Sequence, residues 1–378
     1  MNKFEFPIIK EHVNCGCNVM TAISENIIPR LNQAFVRGFV NTPAGRLPRI
    51  SSELVWQDHW GSIRARWGVG RTDYKIDPGL YALGNPDNNS SVFVSANYKM
   101  SFDHLRSALK GRSGWILVLD TKGINVWCAA GKGTFGTKEL LRRIESSDLK
   151  KIISHNRLIL PQLGAPGVAA HKIKQISGFN VHYGPIRAKD LPDYLDAGFK
   201  ATEQMRIKTF PLQERAVLIP IELVEAMKAY LLLAIIFLIV SGISGPAGFW
   251  TNTATFGLFA AMALFCAIIG GAVLNPLLLP FLPGRAFSIK GFSIGIVIAM
   301  VLLYLRNMNM SGWPERIESM AWLLIISSIS GYLAMNFTGC STYTSLSGVK
   351  REIRWALPLE IACGAVGLVL WISAVIIA

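Results

Sequence analysis

Apolar and polar positions keep one rhythm up to about residue 215 and another beyond it. In the first part, short apolar runs of buried-strand type alternate with stretches of helical spacing. Ser91–Ala96, Trp115–Leu119, Gly123–Trp127, Arg157–Leu160 and Phe179–Tyr183 read as strands. Phe102–Leu109, Thr137–Ile144, Gly167–Ile176 and Leu191–Ala197 read as helices, with Thr137 as a helix cap and Glu139 in the first turn. Such alternation predicts an α/β, Rossmann-like domain with a largely parallel sheet over residues 1–215. Residues 1–90 are less regular, and Asn41–Pro48 and Asp77–Asn89 read as Pro/Gly stretches poor in strand. Over residues 216–378 the apolar runs lengthen into five spans, at about 223–243, 254–274, 287–305, 318–336 and 357–377. No Asp, Glu, Lys, Arg or His occurs between Lys228 and Arg285, a gap that accommodates two membrane helices of roughly 20 residues each. The expectation is an all-α, five-helix transmembrane domain.

Charge orients those spans. Met1–Lys10 has no charged-then-apolar leader, which keeps the first domain on the side of synthesis. With that domain inside, the inner loops hold Arg285, Lys290, Lys350, Arg351 and Arg354, and the outer loops only Arg306 and Arg316. The positive-inside rule agrees, placing the chain in the cytoplasmic (inner) membrane with its N-terminal domain in the cytoplasm. The net charge of +14 therefore fits anionic lipid. Its basic residues are scattered and form no recognised nucleic-acid module, so no nucleic-acid partner is expected. Glu360 is the charged side chain best placed inside a span. The loop Asn336–Trp355 reads either as a basic inner loop or as a docking surface for the first domain.

Ligands of open α/β sheets bind beyond the carboxyl ends of strands, so the residues leaving strands carry the search for chemistry. Two exits are built of small residues, Cys128–Gly136 and Pro161–Gly167. Gly131-Lys132 resembles the tail of a phosphate loop, but Val126 and Gly133 occupy positions that need Gly and Ser/Thr. Gly131–Gly136 has the G-x-G-x-x-G spacing of a dinucleotide turn, yet lacks the acidic ribose partner about 20 residues on. Thr134, Pro161, Gly164 and His155 are further pocket candidates by strand-exit reasoning.

Six cysteines (Cys15, Cys17, Cys128, Cys266, Cys340 and Cys363) include no C-x-x-C pair, and a disulfide framework is not expected. Cys15 and Cys17 form a C-x-C near the N-terminus, read as a mobile segment or a metal-ion relay. For Cys128 two readings stand: a small buried hydrophobe, or a reactive or ligating thiolate favoured by nearby backbone amides and Lys132.

The segment Asn125-Val-Trp-Cys-Ala-Ala-Gly-Lys132, with Leu117–Ile124 before it and Gly133–Thr137 after it, resembles the corrinoid proteins of microbial mercury methylation. The resemblance extends over Gly84–Arg106, Leu160–His171, Tyr183–Asp190 and the five-span tail. More distantly, the first domain is similar to the large subunit of the corrinoid iron–sulfur protein of acetyl-CoA synthesis. What this implies is a corrinoid-binding domain carrying a cobalamin-type cofactor, with the Cys128 thiolate as lower axial ligand of cobalt. Asn125, Val126, Trp127, Ala129, Ala130, Gly131 and Lys132 would shape the cap over the lower face, Trp127 alternatively anchoring the turn in the core. The implied activity is corrinoid-dependent methyl transfer to Hg(II), giving methylmercury, from a methyl-folate-dependent donor. Cys15 and Cys17 alone cannot hold a four-iron cluster, so the implied electron donor is a separate dicluster 4Fe-4S ferredoxin. The rivals are a methyl carrier of acetyl-CoA/C1 metabolism and a membrane nucleotide-binding or transport protein.

Overall fold

The computed structural model describes residues 28–244, 247–306, 312–340 and 346–377. Cys15 and Cys17 lie outside the described residues. A seven-stranded mixed sheet forms the centre of the first domain. Its strands are β1 (Val36–Thr42), β2 (Gly45–Ile50), β3 (Gly79–Leu83), β4 (Val92–Ala96), β5 (Gly114–Leu119), β6 (Arg157–Leu160) and β7 (Asn180–Tyr183). They lie in the order β1-β2-β3-β5-β4-β6-β7. β5, β4, β6 and β7 run parallel to one another, and β3 is antiparallel to β5. Helices α1 (Trp56–Arg66), α2 (Lys99–Ala108), α3 (Val126–Lys132), α4 (Thr137–Ser146), α5 (Leu149–Ile152), α6 (Ala170–Ser177) and α7 (Leu191–Asp196) cover the sheet. Every residue of β3, β4 and β5 is buried, as strands covered on both faces require.

Three sequence expectations are corrected here. Gly123–Trp127 is no strand: Lys122 and Gly123 are both left-handed (φ 57° and 73°), which turns the chain out of β5 and into α3. Asn41–Pro48 and Asp77–Asn89 overlap β1, β2 and β3, because Gly45 and Gly79 open strands there rather than breaking them. Gly136 is the cap residue of α4, and the Thr137 hydroxyl instead accepts the Ala169 amide at 2.8 Å.

A buried ion-pair network joins α1 to α2. Lys99 reaches Asp58 and Asp103 at 2.6 Å each, and Arg106 reaches Asp58 at 2.6 Å and Asp103 at 2.7 Å. Arg106 also donates to the carbonyls of Ser51 and Glu53. Every carboxylate thus has a cation and every cation several acceptors, the condition for tolerating charge inside a protein.

Among the described residues five helices are long and apolar enough to cross a membrane: Leu212–Ser244, Phe249–Leu278, Phe287–Leu305, Trp313–Phe337 and Gly348–Ile377. The second passes through two π-helical stretches at Thr253–Gly257 and Ile269–Leu274 and runs on past Asn275-Pro276. The expected loop Asn336–Trp355 is largely helical, since helices Trp313–Cys340 and Leu346–Ile377 extend into it from both sides. Glu360 is not alone as a charge among these helices. Glu318 pairs with Arg306, Lys290 donates to the carbonyls of Leu279 and Leu282, and Glu352 accepts the Ser288 amide at 2.7 Å. Both carboxyl oxygens of Glu360 are buried against Gly331 without a hydrogen-bond partner.

The two parts meet through the residues that lead into the first apolar helix. The Arg215 guanidinium is buried and donates to the carbonyls of Pro276 and Leu277 at 2.8 Å. Phe210 lies beside Phe337, with ring centroids 6.1 Å apart.

Candidate functional site

The turn after β5 is held from the neighbouring strand. Asn97, one residue past β4, accepts the amides of Thr121 (3.1 Å) and Gly123 (3.0 Å) on its side-chain oxygen. Its amide nitrogen donates to Asp120 at 3.1 Å. The Thr121 hydroxyl donates to the Ile124 carbonyl at 2.6 Å, closing the turn. Asn125 then caps α3, its side-chain oxygen accepting the Cys128 amide at 2.9 Å. This cap orients a short helix whose length alone would not sustain it.

α3 places Asn125, Val126, Trp127 and Cys128 on the wall of a cleft of about 750 Å³. The cleft lies at the carboxyl ends of β4, β6 and β7, where Ser95, Leu160, Pro161 and Gly184 contribute to its lining. Ser101 and His104 of α2 form another wall, and Arg187, Lys189, Lys208, Pro211 and Glu214 close the side toward the apolar helices. Cys128 is half-buried and free of any disulfide. Crowding in the cleft, with the Arg66 guanidinium nearby, holds the His104 imidazole below its ordinary value.

Other residues singled out from sequence lie elsewhere. Ala129 and Ala130 are buried in the core beneath α3, and Gly131 and Lys132 are exposed. The Thr134 hydroxyl turns to the Ala129 carbonyl at 3.4 Å. Gly164 packs on Phe135: a Cβ there would stand 2.5 Å from the ring. His155 precedes β6, at the end of the strand remote from Cys128. Its Nδ1 accepts the Arg157 amide at 3.2 Å, so Nε2 donates to the Ser90 carbonyl at 3.0 Å. Strand-exit reasoning therefore fails for His155, which enters its strand rather than leaving it. Asn97 and the cleft residues 184–189 are marked only as parts of the resembling segments Gly84–Arg106 and Tyr183–Asp190, with no role given, and 208–214 are unmarked. Asn97 stands directly after the apolar run Ser91–Ala96, so the same rule that marked Cys128 reaches it.

The Gly131–Gly136 turn is filled by protein. Phe135 is fully buried, a Cβ at Gly136 would meet the Gly133 carbonyl at 2.7 Å, and one at Gly167 would meet the Phe135 carbonyl at 2.1 Å. These glycines allow backbone to approach backbone within the fold, which removes the basis for a dinucleotide turn.

A cleft of this size lies within the roughly 300–1,000 Å³ of cofactor pockets. Among the described residues no three His, Cys, Asp or Glu side chains gather to hold a bare metal ion. A metal carried in a macrocycle brings its equatorial donors with it and asks the protein for one axial ligand. A single accessible thiol on the cleft wall suits that requirement.

The fold and the cleft define a cofactor-binding α/β domain joined to membrane-length helices. Within it, residues 68–195 match the family model described as the CO dehydrogenase/acetyl-CoA synthase delta subunit. The chain is similar to acetyl-CoA decarbonylase/synthase complex subunit gamma of Methanopyrus kandleri, at 28% identity over 128 residues, 33% of this chain and 27% of the relative. Subunit gamma 2 of Methanosarcina thermophila is 33% identical over 132 residues, 33% of this chain and 27% of the relative. The Methanocaldococcus jannaschii subunit gamma is 32% identical over 127 residues, 33% of this chain and 26% of the relative. The chain thus spans about a quarter of the length of these relatives. A corrinoid cofactor follows from this match, and α3 lies inside the matched segment with most of the cleft lining, while Lys208, Pro211, Gln213 and Glu214 lie beyond it.

Proposed function

We propose that the chain is a membrane-anchored corrinoid protein that transfers a methyl group to Hg(II), with Cys128 as the lower axial ligand of the cofactor. The observation that carries the reading is the free Cys128 thiol on the wall of a 750 Å³ cleft, presented by a capped helix inside the segment matched to corrinoid-protein relatives. When bound, the corrinoid supplies a cobalt centre able to take up and release a methyl group. The protein's part is positional and electrostatic. Asn125 fixes the first turn of α3 and so holds the Cys128 side chain on the cleft wall. Trp127, Val126, Pro161 and Leu163 line the wall and keep water from it. Cys128 would be the residue that holds the cofactor's metal, a soft donor suited to a soft metal centre and to a soft acceptor such as Hg(II).

Mercury as acceptor is supported by the Asn125–Lys132 octapeptide and by the five apolar helices that follow. The site on this reading lies at the cytoplasmic face of a lipid membrane, which the length and apolarity of those helices support. On this reading a separate dicluster 4Fe-4S ferredoxin supplies electrons and a methyl-folate-dependent donor supplies the methyl group. The second reading, a methyl carrier of acetyl-CoA/C1 metabolism, is favoured by the match over residues 68–195 to subunits named for that complex.

Two experiments decide. Full-length protein reconstituted with cobalamin is expected to show a thiolate–cobalt absorption signature that Cys128→Ala lacks; an unchanged spectrum removes Cys128 as ligand. Deleting the gene is expected to abolish methylmercury production, restored by wild type and not by Cys128→Ala. Intact methylmercury production with failed growth on one-carbon substrates selects the second reading.

A further inference from the structure

Helix α1 carries a row of large apolar side chains that nothing among the described residues covers. Trp56, Trp60, Ile63 and Trp67 are 71%, 50%, 41% and 48% exposed, and Val69 just beyond is 52% exposed. At about 100° per residue these four positions fall within a stripe roughly 60° wide. The packed face of α1 (Asp58, Gly61 and Ala65) lies diametrically opposite. There the Asp58 carboxylate is bound by Lys99 and Arg106, and a Cβ at Gly61 would meet Tyr74 at 2.7 Å. The helix is thus held with its aromatic face outward. Trp56 and Trp60 stack, with ring centroids 6.5 Å apart. Arg64 and Arg66 flank the stripe, and the helix's one carboxylate is turned inward.

The C-terminal end of α1 abuts the entry to the first apolar helix. A Cβ placed on Gly68 would lie 3.2 Å from Ile221 and 3.9 Å from Val224. The stripe is therefore continuous with the surface on which that helix enters its apolar span. Tryptophan is the side chain enriched at the headgroup level of bilayers, and basic flanks beside an apolar face mark helices that lie in the interface.

We infer that α1 is an interfacial helix whose Trp56/Trp60/Ile63/Trp67 stripe lies in the headgroup region of the bilayer that the apolar helices span. The inference rests on the membrane reading of those helices. It gives the α/β domain a second attachment besides the lead-in at residues 208–215. Together they fix how the domain faces the membrane.

The test uses the full chain in phosphatidylcholine/phosphatidylglycerol vesicles, with and without phosphatidylcholine brominated near the headgroup end of its acyl chains. Emission of Trp56→Phe, Trp60→Phe and Trp67→Phe is subtracted in turn from wild type, with circular dichroism confirming the fold of each single variant. The expected result is difference emission largely lost in brominated vesicles and unaffected by aqueous iodide. Difference emission equal in both vesicles and quenched by iodide overturns the inference, since the stripe then faces water. Emission insensitive to both quenchers also overturns it, placing the stripe against protein. Either result in protein that resists alkaline washing fails the stripe alone. Protein that washes out fails the membrane reading beneath it.

Discussion

The backbone amide of Cys128 donates to the side-chain oxygen of Asn125 at 2.9 Å, so the thiol and its cap belong to one turn of helix. Replacing Asn125 by Ala leaves that amide unpaired and is expected to cost about 1 kcal/mol of local stability. The effect appears as weaker cobalamin binding by the full chain, measured by titration, with Asn125→Asp retaining wild-type affinity because its carboxylate caps equally well. Equal affinities for wild type and Asn125→Ala would show that the cap does not position the cysteine.

Gly167 meets the Phe135 carbonyl where a Cβ would stand at 2.1 Å, and the Ala130 Cα at 3.1 Å. Both opposing atoms are backbone and cannot swing aside. Gly167→Ala is therefore expected to destabilise the α/β domain by about 2 kcal/mol or more, in the range of overpacked cores. Denaturant unfolding followed by far-UV dichroism measures it. A variant as stable as wild type would mean that α3 and the stretch 162–167 separate freely.

The network of Asp58, Lys99, Asp103 and Arg106 has its own signature. Arg106→Met leaves two buried carboxylates sharing Lys99 and is expected to cost about 3 kcal/mol or more. Burial raises the Asp58 carboxyl, but the Lys99 hydrogen bond, the Val55 amide and the charges of Lys99 and Arg106 outweigh it and hold the group below the usual carboxylate range. With the folded value depressed, the contribution is present above the unfolded value of about 3.9 and is lost as pH falls through the folded one. Unfolding free energy measured from pH 7 down to pH 3 should decline at the acid end in wild type and less steeply in Asp58→Asn. Parallel curves would remove Asp58 as the source.

His104 gives the opposite group type and the same direction. Loss of hydration in the cleft, together with Arg66, lowers its value, so the fold favours the neutral ring. A histidine depressed in the folded state stabilises fully above its unfolded value of about 6.5, and that contribution is lost as pH falls below it. The His104 ring titration followed by NMR should have its midpoint below 6.5. A midpoint above it would mean that an anion in the cleft outweighs Arg66.

Legibility differed sharply between elements. Arg157–Leu160 was predicted to the residue as β6, because a continuous apolar run between polar ends permits one interpretation. The long apolar helices were equally plain in number, since each holds a long window with few charges. Gly123–Trp127 misled, because Ile124, Val126 and Trp127 look like strand residues while two left-handed residues and the Asn125 cap decide for a turn and a helix. β1 to β3 went unread because Gly and Pro within them suggest loops. In the cleft, residues close in sequence to Cys128 were accessible to motif reasoning. The wall from 184 to 189 and from 208 to 214 is assembled by tertiary packing: the first stretch was marked by resemblance alone, the second by nothing, and no periodicity could have announced either as part of the cleft.

Lys208, Pro211 and Glu214 line the cleft, and the apolar helix Leu212–Ser244 starts within that same stretch. One piece of backbone is therefore both a wall of the cofactor chamber and the stem of a membrane helix. Lys208 and Arg187 are both paired with Glu214, and Arg215 is fastened to the end of the second apolar helix, so the stem has little slack. A change in tilt of the first helix must widen or narrow the chamber beside Cys128. On the membrane reading of these helices, bilayer thickness and lipid packing become variables of the cleft's volume, and detergent-extracted protein and protein in vesicles should differ in how readily a bulky cofactor enters and leaves.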